Sequence, residues 1–214
     1  WFAEIGKYVA KHASSDGVTV KHYLVSSGLT EIIEGTKIYK HFANVFASEY
    51  WFDAYDLPFP KRVITDTGKT QYLFRINKGI ENQSESINSH MAEDARPIPF
   101  SNMIYFGDGE TDVPSMALLK KNGGHAIAVH EPKGSAEKCI DLFKAGRCDF
   151  YAGADYRKGS DLFKRTTLLL DRMLAEVSTL PEVEAAASMG IAPFANGSMT
   201  SGWTESGREV SAEI

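Results

Sequence analysis

The segment Asn102-Met-Ile-Tyr-Phe-Gly-Asp-Gly-Glu-Thr-Asp-Val-Pro-Ser-Met116 holds the residues that decide both the fold and the predicted site. Within it, residues 103–106 form a short apolar and partly aromatic run that is typical of a buried strand. Gly107 and Gly109 relax the backbone on either side of Asp108. We therefore expect Asp108 at the carboxyl end of this strand.

The second half of the segment is expected to open a helix. Asp112 precedes Val113-Pro114, and an aspartate before a proline in the first helical turn is typical of an N-cap. The helix should run to about Lys121. Asp108 and Asp112 then share one strand-to-helix turn, and such a pair suits Mg²⁺, which takes few protein carboxylates and fills its shell with water and substrate oxygens. The alternative is a solvated turn followed by an ordinary helix cap.

Composition and charge exclude several classes of protein. The 214 residues carry a net charge of -5, which gives no basic face for nucleic acid. No apolar run approaches the roughly 20 residues of a membrane span, and no signal peptide is visible. Cys139 and Cys148 lack CxxC spacing, which is typical of reduced thiols in a cytoplasmic protein. We expect no nucleic acid and no membrane among the partners.

Segments typical of strands and of helices alternate along the chain. Predicted strands cover residues 18–26, 44–52, 103–106, 125–130 and 149–154, and predicted helices cover 1–13, 29–35, 70–79, 113–121, 136–145 and 160–177. Pro58 and Pro60 fall in a predicted turn-rich connector. Such alternation predicts an α/β fold whose mostly parallel sheet is covered on both faces, with ligands binding at the carboxyl ends of the strands.

The two ends of the chain differ in character. Trp1 is followed at once by an amphipathic helical pattern, as if the chain began inside a domain. Residues 178–214 are rich in Gly, Ser, Ala, Thr and Glu, and we interpret them as a mobile tail or part of a further segment. The predicted core domain is therefore residues 1–177.

A predicted phosphate cradle follows the strand over residues 18–26. The Ser26 hydroxyl should lie at the strand end, and the amides of Ser27 and Gly28 should point from the start of the next helix, where anions bind readily. The alternative is that Ser26 or Ser27 only caps that helix.

Lys69 is the predicted cation of the site. It lies just before the helix over residues 70–79, where an ammonium can reach a phosphate and a carboxylate together. Lys78 competes with it, but a lysine late in the helix is explained by its favourable position near the carboxyl terminus. The sequence around Lys69 is not a nucleotide P-loop, because Val63 stands where that motif requires glycine. The alternative for Lys69 is a solvated surface role.

Three elements in this order resemble signatures of the haloacid dehalogenase (HAD) superfamily, in the branch around the phosphoserine phosphatases. Residues 25–28, Val-Ser-Ser-Gly, are similar to the second signature, residues 68–70 to the third, and residues 107–112 to the fourth. The resemblance covers roughly residues 1–177. It implies a Rossmann-like parallel sheet with helices on both faces and a magnesium-dependent phosphatase.

The resemblance also implies a role for each residue of the site. Ser26 and the amide of Ser27 would bind phosphate, and Lys69 would bridge the phosphate and the nucleophile, so that it is both phosphate-binding and catalytic. Asp108 would ligate Mg²⁺. Asp112 would support the metal's water shell or Lys69, as a metal-site and catalytic residue.

One signature of the family is missing. The strand ending in DxDx(T/V), which supplies the nucleophilic and the acid/base aspartates, occurs nowhere in the sequence. In the family it precedes the cap domain and the serine signature, so the resemblance implies an N-terminally truncated chain. We expect an incomplete sheet that lacks its central nucleophile strand, between the Ser26 strand and the Asp108 strand. We expect phosphomonoester hydrolysis through an aspartyl-phosphate in the full-length protein, and no activity from this chain alone.

Other functions remain open. One is a non-catalytic pseudo-phosphatase or a module that binds Mg²⁺ or phosphate, and another is a different HAD phosphotransferase such as a phosphomutase. The predicted partner is a small phosphorylated substrate. Thr111 stands where phosphoserine phosphatases usually carry asparagine, so we do not expect phosphoserine in particular.

Overall fold

The computed structural model describes residues 1–13, 18–178 and 210–213. Its sheet has seven strands in the order β3-β2-β1-β7-β4-β5-β6. The strands are β1 (Val20–Leu29), β2 (Asn44–Phe52), β3 (Pro58–Arg62), β4 (Met103–Gly107), β5 (His125–His130), β6 (Phe150–Gly153) and β7 (Val210–Glu213). β3 pairs antiparallel with β2, and the other neighbours pair in parallel. The predicted α/β fold with a mostly parallel sheet is confirmed.

Helices cover both faces of this sheet. They are α1 (Phe2–His12), α2 (Thr30–Glu34), α3 (Thr70–Lys78), α4 (Val113–Lys121), α5 (Glu137–Lys144) and α6 (Asp161–Ser178). On one face, α3, α4 and α5 pack against a cluster that includes Tyr23, Phe46 and Tyr105. On the other face, α1 and α6 pack against a cluster that includes Ile104 and Ile127. Strand side chains alternate between the two clusters, as the period of a strand requires.

Several predicted elements are confirmed with their bounds, among them β2, α4 and β5. α3 ends at Gly79, whose φ of 66° closes the helix in the left-handed region. The connector around Pro58 and Pro60 was predicted wrongly, since it forms the edge strand β3. An edge strand tolerates proline because one side of its backbone has no ladder to donate to.

The expected gap in the middle of the sheet is not present, and this prediction is wrong. β7 lies between β1 and β4 and pairs in parallel with both. Val210 to Glu213 are therefore not part of a mobile tail. Residues 179–209, the larger part of that predicted tail, lie outside the described residues. β7 supplies the backbone partners that a missing strand would have left unpaired.

Candidate functional site

The turn after β4 depends on the lack of a side chain at Gly107. A Cβ atom built at this position would lie 2.6 Å from Asp112 Cβ and would also clash with Met116. At Gly109 a Cβ would meet nothing within 4 Å, and its φ of -146° is open to any residue. Gly107 is therefore needed for space, so that Asp112 can fold back against the strand end.

Asp112 is a buried carboxylate with four donors. Its Oδ1 accepts hydrogen bonds from Lys69 Nζ at 2.6 Å and from Tyr105 Oη at 2.7 Å. Its Oδ2 accepts from the backbone amides of Asp108 and Gly109 at 3.0 and 3.3 Å. Asp112 does occupy the N-cap position of α4, but its side chain makes no capping bond to that helix and holds the preceding turn instead.

Lys69 is the cation that pairs with this carboxylate. It ends the 3₁₀ turn Asp66–Lys69, directly before α3, and is only 6% exposed. Its Nζ also donates to Thr111 Oγ1 at 3.2 Å. A buried ammonium is tolerated because its charge is paired and hydrogen-bonded. An ammonium has three donors, and its acceptors among the described residues are Asp112 and Thr111, so one N–H remains for a ligand.

Asp108 lies beside this pair with its carboxylate exposed. Burial raises the pKa of the Tyr156 hydroxyl, and the nearby charge of Asp108 raises it further. Burial and the charge of Asp108 likewise raise the pKa of the Cys139 thiol. No hydrogen bond or ion pair from the described part of the chain occupies the Asp108 side chain. Within the described ranges, it is the carboxylate of the site that remains open to a ligand.

The residues present fit Mg²⁺ only in part. The described residues contain no group of three or more His, Cys, Asp or Glu side chains placed to hold a metal. Mg²⁺ needs only one or two protein carboxylates, and Asp108 offers one. Both Asp112 oxygens already accept protein hydrogen bonds. The metal role of Asp108 fits this geometry, whereas that of Asp112 stays a prediction.

The helix predicted over residues 29–35 is confirmed, but the strand before it was predicted to end too early, and the amides of Ser27 and Gly28 do not lie at the start of that helix. β1 continues to Leu29, where it pairs with Ser48, and α2 covers only Thr30–Glu34. Ser27 and Gly28 therefore lie in the irregular end of a strand, and the amide of Gly28 donates to Ser26 Oγ at 3.0 Å. No amide cradle at a helix N-terminus forms here. Ser26 is half-buried and Ser27 is exposed. Their roles in binding phosphate stay predictions.

The strand register places Ser26 and Asp108 at one edge of the sheet. Tyr23 of β1 and Tyr105 of β4 both align with Glu213 of β7. Ser26 and Asp108 each follow three residues later on parallel strands, so they end at the same level. Two strand spacings separate them, which amounts to roughly 10 Å.

Two residues of the site were missed by sequence reasoning. The apolar run that contains Tyr105 predicts burial but no polar role, and Thr111 stands out in the sequence only as a departure from asparagine. A tyrosine in a strand that is buried throughout needs a partner for its hydroxyl, and this requirement was the available signal for Tyr105. Nothing in the sequence indicated the contact of Thr111 with Lys69.

Comparison with known proteins gives one relative of undetermined role. An uncharacterized protein of Borreliella burgdorferi (strain ATCC 35210 / DSM 4680 / CIP 102532 / B31) is 31% identical over 181 residues, which covers 76% of this chain and 61% of the relative. The chain thus spans about three fifths of the length of that relative. No family model matches the sequence, and no solved structure matches the fold. No helix among the described residues is long and apolar enough to cross a membrane.

Proposed function

We propose that this chain supplies the phosphate-binding, cationic and metal-binding parts of a HAD-type phosphomonoester hydrolase. One observation carries the proposal. A buried ion pair between Lys69 and Asp112 lies beside the exposed carboxylate of Asp108. Ser26 lies at the same edge of the sheet. The fold supports it as well, because ligands of parallel sheets bind beyond the carboxyl ends of the strands.

Each side chain has a task in phosphoryl transfer, which depends on positioning and on neutralising charge. The remaining N–H of Lys69 would donate to a phosphate oxygen, while Asp112 and Thr111 hold the ammonium in place. The hydroxyl of Ser26 would donate to a second oxygen of the phosphate. Asp108 would hold Mg²⁺, which when bound neutralises charge on the phosphoryl oxygens.

The attacking group would come from outside these 214 residues. In the proposed reaction a carboxylate oxygen attacks phosphorus, the bond to the ester oxygen breaks, and the alcohol leaves with a proton from an acid group. Water then hydrolyses the acyl-phosphate and releases inorganic phosphate. The sequence contains no DxDx(T/V) strand to supply these carboxyl groups. The full-length protein is therefore the proposed enzyme, and its substrate is a small phosphorylated molecule.

A second candidate is a non-catalytic module that binds phosphate or Mg²⁺. It is favoured by the position of β7, which fills the place between β1 and β4 where the nucleophile strand was expected. A phosphotransferase such as a phosphomutase would use the side chains of Ser26, Lys69 and Asp108 in the same way. These functions differ in whether phosphate is released, kept or transferred.

Release of inorganic phosphate across a panel of phosphomonoesters tests the proposal. The full-length protein should release phosphate with Mg²⁺ and stop when the metal is chelated, whereas the 214-residue chain should release none. Lys69→Met should abolish release. Lys78→Met is the matched control, because Lys78 lies in α3 and donates to the carbonyls of Ile87 and Ser89, away from Asp112. Phosphate binding by a full-length protein that releases none would favour the non-catalytic module.

A further inference from the structure

We infer that Tyr105 is a positioning residue. It fixes the Lys69 ammonium by holding Oδ1 of Asp112, the oxygen that accepts hydrogen bonds from both side chains. The inference deepens the proposed function and rests on it for the ligand, a phosphate oxyanion. The hydrogen bonds from Tyr105 and Lys69 to Asp112 support the positioning role independently of that ligand.

The geometry joins the three side chains at one atom. Asp112 Oδ1 accepts from Tyr105 Oη at 2.7 Å and from Lys69 Nζ at 2.6 Å. Hydrogen bonds to an ionised carboxylate are stronger than those between neutral groups. Tyr105 therefore holds Oδ1 with a donor that comes from the sheet itself.

The two donors differ in how firmly they are held. Tyr105 belongs to β4 and is 2% exposed, so its ring is fixed by the strand and by the surrounding core. Lys69 has a long flexible stem, and its contacts with Asp112 and Thr111 fix the direction of its ammonium. The tyrosine is thus the rigid partner of the carboxylate, and the lysine takes its position from it.

The other carboxylate oxygen completes the arrangement. Asp112 Oδ2 accepts from the amides of Asp108 and Gly109, which form the turn at the predicted metal position. Loss of the tyrosine hydroxyl would leave Lys69 as the donor to Oδ1 among the described residues, so this oxygen could shift together with the lysine while the two amides still hold Oδ2. The ammonium would then lose its fixed direction toward the sheet edge.

Tyr105→Phe tests the inference, with Tyr23→Phe as its matched control. Tyr23 is buried on β1 at the same level of the sheet, and its hydroxyl donates to Glu81 at 2.6 Å, away from Lys69. The first measurement is the NMR signal of the two Lys69 Hε protons, assigned with Lys69→Met. Two resolved Hε signals mark a fixed side chain, and a single merged signal marks a mobile one. The second is the affinity of the chain for inorganic phosphate.

We expect Tyr105→Phe to merge the Lys69 signals and to weaken phosphate binding by about tenfold, the effect of one charge-assisted hydrogen bond. Tyr23→Phe should change neither. Resolved Lys69 signals in Tyr105→Phe, or merging in both variants, would overturn the inference. If the unmodified chain bound no phosphate while Tyr105→Phe alone merged the signals, the positioning role would stand and the phosphatase proposal would fail.

A measurement on the unmodified chain covers the case in which Tyr105→Phe does not fold. A buried, hydrogen-bonded hydroxyl proton exchanges slowly with water and is visible by NMR. We expect such a signal for Tyr105 with a cross-peak to the Lys69 side chain. A rapidly exchanging Tyr105 hydroxyl would overturn the inference.

Discussion

The ammonium of Lys69 lies 2.6 Å from the carboxylate of Asp112, a residue 43 positions later in the sequence. The first residue precedes α3 and the second precedes α4, and both are buried. An ion pair of this kind is costly to desolvate, and replacing it with apolar side chains often costs no stability. Its presence beside an exposed aspartate therefore supports a functional role for these charges.

Asp112→Asn should destabilise the protein strongly. The amide removes the negative charge and leaves the Lys69 ammonium buried without its counterion, which typically costs about 3–5 kcal/mol. Urea unfolding followed by circular dichroism measures the change. Asp108→Asn is the control, since Asp108 is exposed, and its free energy of unfolding should stay within about 0.5 kcal/mol. Equal stability of the two variants would show that the ion pair is not formed in solution.

Gly107→Ala and Gly109→Ala should behave differently although they lie two positions apart. The new Cβ at position 107 would meet the Asp112 side chain at 2.6 Å, whereas at position 109 it would meet nothing within 4 Å. We expect Gly107→Ala to cost roughly 1–3 kcal/mol of unfolding free energy through overpacking, and Gly109→Ala to have little effect. Thermal unfolding of both variants checks this, and a larger loss at position 109 would contradict the described turn.

Stability should fall in mild acid because of His22. Burial, and then the nearby charge of His41, lowers the pKa of His22 from about 6.5 to about 4. Between these values the unfolded chain takes up a proton that the folded chain refuses, so stability is full above pH 6.5 and is lost as the pH falls toward 4. The loss amounts to about 3 kcal/mol. Urea unfolding at several pH values measures it.

His22→Leu supplies the comparison for that titration. The leucine places an apolar side chain at this buried position of β1 and removes the proton site. The slope of unfolding free energy between pH 4 and 6.5 should therefore flatten. Asp149, whose pKa is lowered to about 2, acts at lower pH: burial raises its pKa, but the nearby His125 ring and the hydrogen bonds from Lys120 and the amide of Ala126 outweigh this effect. A slope unchanged by His22→Leu would assign the acid sensitivity to another group.

Much of the fold was open to prediction from the sequence, and the exceptions have physical causes. β2, α4 and β5 carry periodic apolar residues between clear turn signals, and their bounds agree with the prediction. β3 was missed because its two prolines disfavour a central strand but not an edge strand. β7 was missed because four residues, Val-Ser-Ala-Glu, carry no strand pattern and gain their structure only by pairing with β1 and β4.

The charged residues of the site could be predicted from the sequence. The features that depend on strand pairing or on hydrogen-bond partners could not. The spacing of Asp108 and Asp112 and the position of Lys69 indicated residues that the structure brings to one edge. The amide cradle at Ser27 was predicted wrongly because pairing of Leu29 with Ser48 carries β1 past the predicted strand end at Ser26. Tyr105 was hidden in an apolar run, since a single sequence does not show which buried hydroxyl has a charged partner.

In the proposed site, Ser26, Lys69 and Asp108 converge on one phosphate and its metal ion. The most direct measurement is a crystal structure of the chain grown with inorganic phosphate and Mn²⁺, an anomalous scatterer that takes the place of Mg²⁺. We predict a manganese peak on the Asp108 carboxylate and a phosphate that accepts hydrogen bonds from Ser26 Oγ and Lys69 Nζ. Manganese and phosphate bound elsewhere, with this edge of the sheet empty, would contradict it.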